Sequence, residues 1–179
     1  MSLTNLVKYS AELGRPGQAL GPACEAEALY RKLARTTPAA FLPILAHCLN
    51  NLGGLLSDLG FPADALHKVT EAVTIQRELV GGEPDAFGPK LALYLANLAT
   101  ILYKIGRSED SLSVSEEAVK SLEPSFTALP AAFAHQMGPI CQQYVQRCKK
   151  VGREPDVELL APIAGVLQRM QQASESDTS

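Results

Sequence analysis

Leu45, Leu49, Leu52, Leu56 and Leu59 recur at steps of three and four, the spacing that lines one face of a helix. Gly60 then offers a residue without Cβ, which accepts the left-handed backbone that ends a helix. Pro62 suits the first turn of a following helix, and Asp64 complements that helix's positive end. Leu66, Val69, Val73 and Ile75 carry an apolar face on to about Val80, where Gly81 and Gly82 are expected to stop it. The pattern predicts helix A, a tight turn and an antiparallel helix B. It is then written again: Leu91, Leu95, Leu98, Leu102 and Ile105 form a helix A, Gly106 closes it, and Ser108 and Asp110 open a helix B to about Leu122.

The two copies are 46 residues apart, and the same step runs through the whole chain. It gives Gly14, Gly60, Gly106 and Gly152, and likewise Ala26, Ala72, Ala118 and Ala164. Asn5, Asn51 and Asn97 form a third series, with Gln143 in fourth place; Leu20, Leu66 and Leu112 form another, broken by Glu158. A fixed period of this length marks a repeat architecture, in which each unit needs its neighbours to bury its apolar face. One repeat domain over residues 1–172 is expected, with units at about 1–35, 36–82, 83–126 and 127–172, and a disordered polar tail at 173–179. Asp64, Asp110 and Asp156 fall in the first turn of successive B helices. Phe41, Phe87 and Phe133 share a register after Pro38, Pro84 and Pro130, and are expected to plug the junctions between units.

The ends depart from the pattern. The first unit starts near Leu3, which leaves it about half of helix A, so Phe41 and Leu45 should present an uncovered apolar strip. Pro139 and Pro162 fall inside the last two helices and are expected to kink or restart them.

Each unit resembles a tetratricopeptide repeat. The matching positions are Leu49, Leu52, Gly53, Leu56, Ala65, Val69 and Ala72 in the second unit, and Leu95, Leu98, Ala99, Leu102, Ser111, Ser115 and Ala118 in the third. Leu6, Ala19, Ala23 and Ala26 match in the first, and Tyr144, Cys148, Ala161 and Ala164 in the fourth. The period exceeds the usual one of about 34 residues, and the aromatic positions hold Leu, Val or Ser. The pattern is similar to the long-repeat variety of kinesin light chains and of arrays attached to signalling NTPases. The resemblance implies an all-α, right-handed α-solenoid of about four stacked helix pairs whose A helices line a concave groove. It implies protein or peptide binding and no catalysis. Gly53, Ala99, Ala65 and Ser111 fit it physically, being small where two helices must approach closely.

Composition narrows the function further. Of 179 residues, 46% are apolar and 20% charged, a normal folded balance, and the net charge of −3 gives no footprint for nucleic acid. No membrane span or signal-peptide core is apparent, and a cytoplasmic location is expected. Cys24, Cys48, Cys141 and Cys148 form no CxxC pair and read as free thiols. His47 and His67 fall on the two helices of the second unit and His135 in the fourth, without a metal-ligand spacing, and the glycine pairs lack a phosphate-binding motif. No cofactor, metal or enzymatic activity is expected.

The asparagine series is the polar feature with positional meaning. On A helices in the resembled architecture, Asn5, Asn51, Asn97 and Gln143 would form a row inside the groove. An amide offers donor and acceptor together, matching one peptide unit of an extended ligand. Helical spacing adds His47, Asn50, Thr100, Tyr103, Lys104, Gln146 and Lys150. A second role for the row is bracing adjacent A helices. The resembled family's clamp for acidic chaperone tails would want basic residues where Leu93 and Asn97 stand, so that partner is not expected. The alternative function is a structural or self-associating segment of a larger array, including a homodimer through the truncated first unit.

Overall fold

The computed structural model describes residues 15–176, and these are almost entirely helical. In chain order the helices are α1 (Arg15–Thr36), α2 (Pro38–Asp58), α3 (Pro62–Gly82), α4 (Pro84–Lys104), α5 (Ser108–Ala128), α6 (Pro130–Val151) and α7 (Val157–Ser176). The chain forms two compact units, Met1–Leu79 and Val80–Ser179. Within each, sequential helices pack on one another, which is the pairing of an all-α helical solenoid.

The 46-residue period is helix almost throughout. A helix of 21 residues, a three-residue turn, a second helix of 21 and a one-residue link complete it. Pro38, Pro84 and Pro130 are first-turn residues of the A helices and not parts of longer connections. Proline is tolerated there because its missing N–H has no intrahelical partner to lose. The residues by which the period exceeds the usual repeat therefore lengthen the helices. Gly81 and Gly82 are the last residues of α3 and do not stop it early; α5 likewise continues past Leu122, through Pro124, to Ala128. Pro139 and Pro162 are contained within α6 and α7 without a break. Helix α7 reaches Ser176, beyond the start of the tail expected at 173.

The turns between A and B helices are made as the glycine series predicts. Gly60, Gly106 and Gly152 have φ of 83°, 82° and 72°; Gly14 lies outside the described residues. Each closes a helix with the paired bonds of a left-handed cap, as in Phe61 N–H to Leu56 O at 2.8 Å and Gly60 N–H to Ser57 O at 3.3 Å. Asp64 and Asp110 lie in first turns, whereas Asp156 precedes α7 and accepts the Leu159 N–H at 3.1 Å, so it acts as a cap.

In unit 1, Leu45, Leu49, Leu52 and Leu56 of α2 are buried with Ala65, Val69, Ala72 and Val73 of α3. A Cβ on Gly53 would meet Val69 Cγ2 at 2.3 Å, so glycine is what allows this approach. In unit 2 the same positions hold Ala99 and Ser115, and Ser111 donates to the Ala99 carbonyl at 2.7 Å. Leu45 is only 3% exposed, so it offers no apolar strip to a second copy; the truncated helix at Leu3 lies outside the described residues. Phe41 is half-buried, with its ring 6.4 Å from that of Tyr30 on α1. Helix α2 is long and apolar enough to cross a membrane by length and composition alone, and Leu45, Leu49, Leu52 and Leu56 on it are buried in the described fold.

Helix α7 is the exception in packing. Ala161 and Ala164, the expected contact positions, are exposed, and Ile163 is buried instead. The register has moved by one residue where Glu158 breaks the leucine series.

Candidate functional site

Two helices of unit 2, α4 and α6, supply most of the polar positions singled out in the sequence. Thr100, Tyr103, Gln143 and Gln146 converge with Arg147 around a cavity of 220 Å³. Helical spacing explains the grouping: Thr100 and Tyr103 are three apart on α4, while Gln143, Gln146 and Arg147 share a face of α6. Tyr103 is 44% exposed, an aromatic ring presented to solvent at the rim of a polar hollow.

Arg147 is the residue the sequence pattern misses. It is 7% exposed, and its side chain runs back into the packing between α5 and α6. Its Nε donates to Ser111 Oγ at 2.7 Å, and its terminal nitrogens donate to Gln143 Oε1 at 3.2 Å and Thr100 Oγ1 at 3.1 Å. The guanidinium carbon lies 6.0 Å from the centre of the Tyr103 ring, in cation–π range. All three acceptors are neutral. Burial pushes the Arg147 pKa below its ordinary value, and the Tyr103 side chain pulls the other way. The signal was present in the repeat: Leu55 and Ile101 occupy the positions equivalent to Arg147, so an aliphatic series ends in a cation.

The remaining predicted positions fall elsewhere. In unit 1, Asn51 is exposed and its amide nitrogen lies 3.1 Å from His47 Nε2. Asn50 is 7% exposed, inside the packing and not on an open face. In unit 2, Asn97, Lys104 and Lys150 are exposed but do not line the cavity. Asn5 lies outside the described residues.

Unit 1 has its own charged cluster. Lys68 donates to both Glu27 oxygens at 2.7 and 2.8 Å, with both side chains buried. Arg31 bridges Glu27 at 2.8 Å and Glu71 at 2.6 Å, which lowers the Glu71 pKa. Here every charge is matched, and the cluster binds α1 to α3.

Among the described residues no group of His, Cys, Asp and Glu could hold a metal ion. The four cysteines are unpaired, and burial pushes the Cys141 thiol up to about 11, which keeps it protonated and unreactive.

Residues 45–85 match the model of the tetratricopeptide repeat, from the middle of α2 through α3 to the start of α4. No curated protein matches the chain.

Proposed function

We propose that this chain, with a tetratricopeptide repeat at residues 45–85, a kind of unit that mediates protein–protein interaction, binds an extended protein segment across α4 and α6. The cavity edged by Thr100, Tyr103, Gln143 and Gln146 carries the reading. It combines an exposed aromatic ring, suited to anchoring a side chain, with amides that can pair with a peptide backbone. It is also smaller than the roughly 300–1,000 Å³ of sites that enclose a whole small molecule, which favours part of a chain as occupant.

The test is selection of binders from a displayed random-peptide library, followed by affinity measurement on Tyr103→Ala/Gln146→Ala. Both side chains are solvent-exposed, so melting should stay within about 0.5 kcal/mol of wild type. Affinity should fall by about five- to a hundredfold, as expected for losing a ring contact and a polar contact. Peptides that bind the double variant as tightly as wild type would place the binding face elsewhere.

A further inference from the structure

A buried cation is costly unless an anion compensates it. Arg147 is 7% exposed, yet among the described residues it forms no ion pair; its acceptors are a serine hydroxyl, an amide oxygen and a threonine hydroxyl. A guanidinium also has more N–H groups than these three bonds use. The same residue lines the cavity. The desolvated charge is therefore at the wall of a hollow that opens beside an exposed tyrosine.

From this geometry we infer that the cavity between α4 and α6 is a carboxylate subsite, in which Arg147 pairs with one acidic group of a bound segment. This rests on the proposed binding face and names the chemistry it selects. Three features make the site ready to act. Ser111 holds Nε by a 2.7 Å bond and is itself held by the Ala99 carbonyl, which fixes the inner edge of the guanidinium. Gln143 and Thr100 hold its terminal nitrogens through longer bonds of 3.2 and 3.1 Å, which a carboxylate would exchange for shorter charge-assisted ones. The Tyr103 ring stands 6.0 Å from the guanidinium carbon, in cation–π range, at the mouth through which an acid would approach. The acid could be an Asp or Glu side chain or a chain's terminal carboxylate; both present the same planar pair of oxygens.

The experiment uses the full chain and small probes, followed by NMR of the Arg147 Nε–H and the Thr100 amide at constant ionic strength. N-acetylglutamate N-methylamide presents only a side-chain acid, and N-acetylglycine only a terminal one. N-acetylglutamine N-methylamide is the neutral control, and inorganic phosphate is a fourth arm. At least one carboxylate should give saturable shifts, with apparent affinity at least about tenfold above the neutral control. The acid that responds identifies the source. Arg147→Gln should abolish the response and Arg147→Lys, which keeps charge but loses the bidentate fork, should weaken it. Helicity by circular dichroism checks that both variants are folded, and the wild-type titrations stand without them. Silence toward both carboxylates, an equal response to the neutral amide, or a response to phosphate alone overturns the inference. Selected peptides that bind at this face without needing an acid would overturn it while sparing the proposed function. Carboxylate shifts at Arg147 with no selectable peptide would do the reverse.

Discussion

Unit 1 and unit 2 each bury a cation, and they treat it differently. Lys68 is met by both oxygens of Glu27, with Arg31 and Glu71 extending the network. Arg147 is met by neutral groups and faces a cavity. The unit 1 pair occupies positions that are aliphatic in the units after it: Glu27 stands where the next two have Val73 and Val119, and Lys68 where the next two have Val114 and Leu160. In unit 1 the two departures answer each other across α1 and α3. In unit 2 only one side is present. A closed pair fastens helices together, and an open charge is available to something outside the chain.

The comparison breaks most sharply at Glu27. Glu27→Gln keeps the shape of the side chain but leaves Lys68 buried without a counter-charge, and should cost about 3–5 kcal/mol in denaturant unfolding. Arg147→Met removes a cation that has no carboxylate, while Ser111 keeps its bond to Ala99, so its cost should stay below about 1–2 kcal/mol. Equal losses at the two sites would mean that Arg147 is as much a fastening as Lys68. Next in size is Gly53→Ala, whose new methyl collides with Val69 in unit 1; it should destabilise by about 1–3 kcal/mol. Combining it with Val69→Ser reproduces the Ala99/Ser115 pairing of unit 2 and should recover part of that loss.

The smallest effect is one of pH. Because the Arg31 hydrogen bond lowers the folded-state pKa of Glu71, its stabilisation is present above the ordinary carboxyl value of 4.5 and is lost as pH falls through the depressed one. Stability measured from pH 6 downward should therefore fall less steeply for Glu71→Gln than for wild type. An unchanged acid limb would show that the Arg31–Glu71 bridge is too solvated to matter.

Much of the fold was legible because backbone needs leave few choices. Gly60, Gly106 and Gly152 take up left-handed φ, which almost no other residue does at low cost, and the leucine stripe of α2 buries as its spacing requires. Pro38, Pro84 and Pro130 were harder to read, because proline suits both a connection and a first helical turn. Ala164 fits its series yet is exposed, since Ile163 takes the buried position and α7 settles one residue out of register. The candidate site was legible in part. Thr100, Tyr103, Gln143 and Gln146 follow from helical spacing along the amide series. Arg147 also lies one helical step from Gln143, but its counterpart Ile101 is a core residue, and periodicity alone assigns Arg147 to the core as well.

The single-residue links at Thr37, Glu83 and Leu129 constrain how such a chain can change length. Inserting or deleting one residue within a helix turns everything after it by about 100°. With no loop to absorb that rotation, the next apolar stripe would face water. Among the described residues the longest connection, the five residues 152–156 between α6 and α7, has the most slack for it. Elsewhere, growth or shrinkage by whole 46-residue units preserves the phase, so duplication is open to this sequence where small insertions are not.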